Sequence, residues 1–407
     1  MPLLLAGCGP KADEAVFDPD VVATYRLKFE DADWEDELAE NFDQFECDDR
    51  TYLRAKLVYE NPMTREREVY EDVGVRFRGH NIYLDSGVER SGYKISFDEF
   101  VEGGAFHEGL RKVNLLGTEG DYSLLHERLA LWLMREVDVP AGRVNHAELF
   151  VNGKFMGLFP NSEEPDDDPF LATHFPGQDG GSLYKVKGYC GYRADLAWAG
   201  DDPAVLAETY EPKADTDEED MREDLIPMLA CASEADDAAF SACIGEWIDV
   251  DEWLTEIAVD VLLPDVDGMA SAGQNFMMYF HPAQERFLVY PWDKDLAFYL
   301  TTVSESKSGI FDLQPAWLEN ASPHLVDRLR TVMRDDYCAK VLEVAEVAGP
   351  DRLLDEVDRL EDQLLPFVRR DPFLKEDQWT WAVDYVRQTI ETRHPEVVEE
   401  ARACSPI

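Results

Sequence analysis

Basic side chains are scarce in this 407-residue sequence. It has 38 lysines and arginines against 86 aspartates and glutamates, which gives a formal net charge of −48. A surface this negative repels phosphate backbones and anionic lipid headgroups, so composition disfavours binding to nucleic acid or to a membrane surface. We interpret the acidic excess, which is spread along the chain, as a solvated skin that favours solubility.

Several common signatures are absent. No stretch approaches the ~20 apolar residues that a transmembrane helix requires. The sequence has no GxxxxGK[ST] phosphate loop, no GxGxxG after a strand, no HExxH and no GxSxG elbow. Disorder is excluded as well, because hydrophobic residues make up 45% of the chain and aromatic residues 11%. The length suits one large domain or two lobes.

Cysteine pairs of the CxxC type are also missing, and no histidine stands at metal-ligand spacing from a cysteine, which disfavours a zinc site. Residues 5–8, Leu-Ala-Gly-Cys, match a lipoprotein signal, so we predict lipidation of Cys8 and export. The alternative is a chance match, since a charged leader and a full apolar stretch are lacking. Six cysteines then remain, an even number compatible with disulfides outside the cytoplasm. Cys231 and Cys243 are a candidate local pair.

The first part of the chain, residues 21–160, has mainly strand patterns. Alternating apolar residues predict strands at 24–29, 55–59, 73–78, 93–97 and 112–116. Asn152-Gly153 between two apolar runs predicts a type I′ hairpin. One helix interrupts the series, with Asp121 as its expected N-cap and apolar residues at helical spacing up to Leu133.

The second part is mostly helical. Patterns predict helices at 217–232, 236–247 and 250–263, a β pair at 276–280 and 287–290, and three amphipathic helices between Pro323 and Ala403. We therefore predict an α+β fold with two lobes, a β-rich N-lobe and a mainly helical C-lobe. The expected boundaries are 1–20 for the signal remnant and tether, 21–162 for the N-lobe and 163–407 for the C-lobe.

One polar cluster has apolar neighbours on both sides. It runs from Ile257 to Phe298, where carboxylates are costly unless they are paired, protonated or bound to metal. Its polar members are Asp260, Asp265, Asp267, Asn275, Asp293 and Asp295. An aspartate, an asparagine eight residues later and an aspartate after the β pair form the set that kinase-like phosphoryl transfer uses around Mg²⁺.

The same chemistry needs a cation for the nucleotide phosphates. Lys94, in the middle of a predicted strand, is the candidate, and Glu127 on the Asp121 helix could orient it by an ion pair. Each residue also has a structural interpretation. Asp293 could cap a turn, Lys94 could reach along a sheet edge, and Glu127 could be an exposed helical acid.

With these motifs in this order, the chain resembles the CotH kinase family, which has an atypical protein-kinase-like fold. The resemblance extends from about Val73 to Arg393. The matching stretches include 75–79, 93–94, 112–116, 121–137, 151–159 followed by Glu163, 181–185, 248–251, 257–259, 267–268, Asn275 and 291–295. The last of these, Pro-Trp-Asp-Lys-Asp with the following Phe298, is the most specific.

The resemblance implies transfer of phosphate from ATP to serine or threonine of a protein, with Mg²⁺ or Mn²⁺. Asp267 would position the acceptor hydroxyl, Asp293 would bind the metal and Asn275 would assist it. The residues implied at the nucleotide are Lys94, Glu127, Glu163 and Arg78, with Arg76 as a further possibility. For both arginines a structural role in the sheet matches equally well.

The chain departs from the family pattern before the catalytic aspartate. Family members often have Asn-Trp there, whereas this chain has Asp265-Val266, and Pro264 stands where glycine is usual. Asp265 therefore competes with Asp267 as the catalytic residue. The alternative function is a catalytically silent surface or structural scaffold that retains the fold. An acidic, cation-binding surface protein ranks third because only charge supports it.

Overall fold

The computed structural model describes residues 16–42, 51–65, 67–79, 91–107, 109–117, 121–186, 194–299, 307–314 and 322–404. Contacts between Cα atoms divide the chain into two compact units. The first comprises residues 1–119, 143–164 and 367–375, and the second comprises 120–142, 165–366 and 376–407. The predicted α+β class is confirmed, whereas the two-lobed arrangement and the predicted domain boundaries stay predictions.

The first unit is built on a closed barrel of seven strands in the order β1-β2-β3-β4-β5-β7-β6. These strands are β1 (Val22–Lys28), β2 (Leu53–Glu60), β3 (Arg67–Arg78), β4 (Gly92–Ser96), β5 (Lys112–Leu115), β6 (Val144–Val151) and β7 (Lys154–Glu163). One short helix, α1 (Trp34–Glu40), belongs to the same unit. Every strand that the alternating patterns predicted here is present.

Alternation along each strand separates the barrel core from a polar face. Tyr93 and Ile95 of β4 lie in the apolar core with residues such as Val75 and Val113. Lys94, between them, points to the other face, because successive side chains of a strand alternate. Its partners in register are Arg76 on β3 and Asn114 on β5. Three polar side chains therefore lie side by side on this face.

The predicted hairpin joins β6 and β7. Asn152 and Gly153 both have left-handed backbones, with φ of 48° and 84°. A type I′ turn requires this at both central positions, which explains the Asn-Gly pair. The Asn152 side chain also accepts a hydrogen bond from the Phe29 amide at 2.9 Å.

The second unit combines a four-stranded sheet, in the order β11-β10-β8-β9, with most of the helices. Its strands are β8 (Leu183–Val186), β9 (Tyr210–Lys213), β10 (Phe276–His281), β11 (Arg286–Pro291), and the separate pair β12 (Lys307–Gly309) and β13 (Asp312–Gln314). Its helices are α2 (His126–Glu136), α3 (Asp168–His174), α4 (Pro203–Leu206), α5 (Glu218–Glu223), α6 (Leu225–Ala232), α7 (Asp237–Trp247), α8 (Val250–Leu262), α9 (Met269–Ala272), α10 (His324–Val332), α11 (Arg334–Val347), α12 (Pro350–Val368) and α13 (Glu376–Cys404).

Three helix predictions need correction. The predicted helix 217–232 is two helices, because Asp224 ends α5 and caps α6 through the Leu225 amide. Residues 322–404 contain four helices rather than three. The helix expected directly after Asp121 begins at His126, since Leu124 has a φ of 63°. Asp121 still binds the helix start, because its carboxylate accepts from the His126 amide at 2.8 Å.

Two cysteine pairs lie at disulfide distance, both in the second unit. Cys231 and Cys243, the predicted local pair, have Cα atoms 6.1 Å apart. Cys338 and Cys404, with Cα atoms 6.2 Å apart, join α11 to the end of α13. Cys8, the predicted lipidation site, lies outside the described residues. Among the helices that are described, none has the length and apolar character needed to cross a bilayer.

Candidate active site

The loop between α8 and α9 carries Asp267. Asp260 on α8 holds both ends of this loop, because its carbonyl accepts from the Asp265 amide at 2.9 Å and its carboxylate accepts from the Ala270 amide at 3.0 Å. Gly268 follows Asp267, and a Cβ atom there would lie 2.5 Å from Asp265 Oδ2 and 2.6 Å from Asp260 Oδ2. Only glycine fits without displacing these two carboxylates.

Side-chain amides surround the Asp267 carboxylate. It accepts hydrogen bonds from Gln274 and from Asn275 Nδ2, the latter at 3.0 Å. No lysine or arginine of the described segments lies within ion-pair distance of it. Burial, then the charges of Asp265 and Asp293, raise the pKa of Asp267 to about 7. A group with this pKa can exchange a proton near neutral pH, as a general base must.

The sheet brings Asn275 and Asp293 together. Asn275 precedes β10 and Asp293 follows β11, and the Trp292 amide donates to the Asn275 carbonyl at 3.0 Å. Both residues have left-handed backbones, with φ of 60° and 57°. Such conformations are uncommon outside glycine and concentrate at functional sites. Asp293 is also close enough to Asp267 for its charge to raise the pKa of that residue.

A buried lysine separates the roles of Asp265 and Asp267. The Lys294 ammonium lies 2.6 Å from Asp260, 2.8 Å from Asp265 and 3.5 Å from Glu256, and all four side chains are at most 2% exposed. Burial lowers the pKa of Lys294, but the three carboxylates outweigh it and leave that pKa raised. Asp265 is therefore engaged in a buried ion pair, whereas Asp267 is not. This favours Asp267 as the catalytic candidate.

Glu256 differs from the other two acids of this group. Burial, followed by the charge of Asp260, raises the pKa of Glu256. Its carboxyl also lies farther from the Lys294 ammonium, at 3.5 Å, than those of Asp260 and Asp265, at 2.6 and 2.8 Å.

In the first unit, Lys94 has a carboxylate partner. Its ammonium forms an ion pair with Glu164, and both side chains are largely buried, at 10% and 4% exposure. Asn114, the neighbour of Lys94 in register, also donates to Glu164, at 3.2 Å. Arg76 lies over the Tyr52 ring at 5.3 Å from its centre. Arg78 is half-buried at the end of β3.

The two other predicted nucleotide residues have clear structural contacts. Glu163 accepts two hydrogen bonds from the Arg143 guanidinium, at 2.5 and 3.0 Å, and one from the Arg143 amide at 3.0 Å. Glu127 accepts from the backbone amide of Lys294. Its predicted ion pair with Lys94 stays a prediction, as do the nucleotide roles of Glu163 and Arg78.

The structure thus brings together Asp267, Asn275 and Asp293 in the second unit, and Lys94 with the unpredicted Glu164 in the first. The sequence patterns also did not predict Lys294 or Glu256 as residues of the site. Lys294 stands between two aspartates in the Pro-Trp-Asp-Lys-Asp motif, and Glu256 precedes Asp260 by one helical turn. Those positions were a usable signal, because buried acids one turn apart need a cation.

A divalent cation fits the residues present. Nothing in the described residues donates to Oδ1 of Asn275, so this oxygen is open to a ligand. Carboxylate and amide oxygens are the ligands that Mg²⁺ takes in proteins, usually together with substrate phosphates. The described side chains include no group of three or more His, Cys, Asp or Glu that could hold a metal alone. A site completed by phosphate oxygens is consistent with that finding.

Comparison with known proteins assigns the family. The family model described as CotH kinase protein matches residues 75–397, which is most of the chain. The chain belongs to the CotH kinase protein family. The predicted resemblance is therefore confirmed, and the membership makes this a kinase-like protein.

The individual proteins that this chain matches have low sequence identity to it. The "Inner spore coat protein H" of Bacillus subtilis (strain 168) is 25% identical over 187 residues, which cover 46% of this chain and 50% of that protein. A solved structure of the Shewanella oneidensis MR-1 toxin–antitoxin system HipA, HipB and its operator DNA complex is 13% identical, with a TM-score of 0.36. That alignment covers 76% of this chain and 66% of the other. A TM-score this low does not establish a shared fold.

Proposed function

We propose that this protein is a metal-dependent phosphotransferase that transfers phosphate from ATP to serine or threonine residues of a protein. The observation that carries the proposal is the Asp267, Asn275 and Asp293 group. It combines an amide-held carboxylate of raised pKa, a second carboxylate nearby and an open amide oxygen. Membership of the CotH kinase protein family supports the same chemistry.

Asp267 acts on the acceptor in this proposal. The amides of Gln274 and Asn275 fix the direction of its carboxylate. In its ionised form the carboxylate orients the acceptor hydroxyl and takes its proton as the oxygen attacks the terminal phosphorus. The bond between that phosphorus and the bridging oxygen of the nucleotide breaks, and ADP leaves with the electron pair.

Asp293 and the Oδ1 oxygen of Asn275 are the groups that would hold Mg²⁺ or Mn²⁺. When bound, the cation supplies charge that neutralises the nucleotide phosphates. Lys94 is the protein's own cation for those phosphates. The buried Lys94–Glu164 ion pair supports this role, because kinases use a lysine–glutamate pair to set the phosphate-binding lysine.

We also propose that the protein is exported and anchored to a membrane through a lipid on Cys8. The two cysteine pairs support this, since disulfides persist in oxidising compartments. The spore-coat name of the Bacillus relative is compatible with a surface location. Mass spectrometry of the protein from membranes of its host would detect a lipid on Cys8, and an unmodified cysteine would contradict the anchor.

One experiment tests the proposed activity. Purified protein with Mg²⁺ or Mn²⁺ and labelled ATP should label itself or a casein-like acceptor, and Asp293→Ala should abolish the label. Asp384→Ala, at an exposed aspartate of α13, is the control and should retain activity. Equal background labelling by wild type and Asp293→Ala would favour the silent scaffold.

A further inference from the structure

Lys294 has contacts on both sides of the candidate site. Its backbone amide donates to Glu127 on α2. Its ammonium reaches Asp260 on α8 and Asp265 in the Asp267 loop, at 2.6 and 2.8 Å. Lys294 itself directly follows Asp293. One buried side chain therefore connects the segment that carries Asp293 with the loop that carries Asp267.

The loop side of this connection is short and runs through two carboxylates. Asp265 Oδ1 accepts from the Asp267 amide at 3.0 Å, while Asp265 Oδ2 lies at the ammonium. Asp260 likewise divides its carboxylate between the ammonium and the Ala270 amide, at 2.6 and 3.0 Å. A movement of the ammonium would therefore pass to the backbone on both sides of Asp267.

We propose that Lys294 is a positioning residue that sets the separation between Asp267 and Asp293, although it touches neither substrate nor metal. The inference rests on the proposed function, since the separation matters only if both aspartates act on one reaction. Buried ion pairs are strong geometric constraints because a charge in the interior has no alternative partner. The close contacts around Gly268 leave the loop little room to move back if the ammonium is lost.

The test compares two variants with a control. Lys294→Met removes the ammonium and keeps the side-chain length. Lys294→Met/Asp260→Asn also removes one negative charge, so the formal charge of the cluster stays at its native value while the tether is lost. Lys340→Met is the control, because Lys340 is 10% exposed and pairs with Asp251 and Glu343, both at 2.9 Å, on another part of the second unit.

Hydrogen exchange measures the tether without any need for activity. In the charge-balanced double variant, the amides of Asp267 and Lys294, whose acceptors Asp265 and Glu127 are unchanged, should lose protection at least tenfold, while those of β10 and β11 keep theirs. Unchanged protection at these two amides would overturn the proposal. If Lys294→Met unfolds, the double variant alone decides, and global loss of protection in that variant too would mean that Lys294 is structural and the proposal is wrong.

Kinetics then separate positioning from stability. A displacement of about 1 Å between acting groups can cost about 100-fold in rate, so kcat of the double variant should fall by that order while KM for ATP changes less than threefold. Lys340→Met should change neither. A folded double variant with native kcat would overturn the proposal. If wild type shows no transfer at all, the proposed function fails, and native exchange rates in the double variant would still refute the tether separately.

Discussion

Two nearly buried lysines, one in each unit, are paired in different ways. Lys94 on the barrel strand β4 forms an ion pair with Glu164. Lys294 in the second unit has three carboxylate partners, Asp260, Asp265 and Glu256. A lysine that is 10% exposed on a polar strand face can exchange a carboxylate partner for a phosphate, whereas a lysine that is 1% exposed and enclosed by three acids is committed to the interior. The proposals above therefore give the same residue type a ligand-binding role in one unit and an architectural role in the other.

Removal of each ammonium is the sharpest test of this contrast. Lys294→Met should lower the free energy of unfolding of the second unit by about 3–5 kcal/mol, because it leaves buried carboxylates without a cation. Lys94→Met removes a more exposed ammonium, and Glu164 keeps its hydrogen bond from Asn114, so this variant should cost clearly less. Urea denaturation followed by circular dichroism measures both. Equal losses would show that the two lysines are equivalent, and the comparison would be wrong.

The neighbouring aspartates Asp265 and Asp267 extend the comparison to catalysis. Asp267→Asn should reduce kcat by about 10²–10⁴-fold with little change in stability, because it removes the proposed general base, whose carboxylate accepts from two side-chain amides. Asp265→Asn should mainly destabilise, since its carboxylate is part of the Lys294 group. Labelled-ATP kinetics and melting curves on both variants give the assignment. The reverse pattern would make Asp265 the catalytic residue.

Gly268→Ala probes how tightly the loop packs on the Lys294 group. The new Cβ would approach Asp265 and Asp260 to about 2.5 Å, so we expect a loss of ~1–3 kcal/mol from overpacking. Gly245→Ala is the matched control, because a Cβ there meets nothing within 4 Å and the residue lies inside α7. The control should be neutral or slightly stabilising. Thermal melts measure the stability of both variants. Equal melting temperatures for Gly268→Ala and Gly245→Ala would contradict tight packing at Gly268.

On the barrel side, Lys94→Met should raise KM for ATP by about tenfold, the size of one charged contact to phosphate. Lys94→Met/Glu164→Gln avoids an unpaired buried carboxylate and should show the same rise in KM with native stability. Nucleotide binding by isothermal titration is an independent measure. If the double variant bound ATP normally, Lys94 would have only a structural role.

The smallest expected effect is on pH dependence. The pKa of Asp267 is raised to about 7, and only its ionised form accepts a proton, so kcat/KM should fall as pH decreases below 7, by about tenfold per unit at most. Its effect on stability has the opposite sense. The folded state binds this proton more tightly than the unfolded state, so the Asp267 contribution to stability decreases as pH rises from about 4 to about 7. Asp265→Asn removes one cause of the raised pKa of Asp267, so the fall in kcat/KM should begin at a lower pH in this variant. If the fall begins at the same pH as in the wild type, the titrating group is not Asp267.

Much of the architecture follows from local patterns. Alternation of apolar residues in stretches such as 93–97 gives the barrel strands, because a period of two puts a continuous apolar face towards a core. Asn152-Gly153 gives the hairpin through its left-handed turn. Helix boundaries were less accurate, as at Asp224 and Leu124, because a single residue's cap or backbone conformation ends a helix where the apolar period continues.

For the site, the sequence by itself determined the residue types and the family, through Asp267, Asn275 and the motif around Asp293. Only the tertiary structure decided which carboxylate has which partner. Asp265 and Asp267 look equivalent in sequence, but one lies against the Lys294 ammonium and the other against two amides. Likewise Lys94 finds Glu164, 70 residues later in the chain. Partner choice depends on distances across the fold, and pKa values follow from those distances and from burial, neither of which a linear pattern contains.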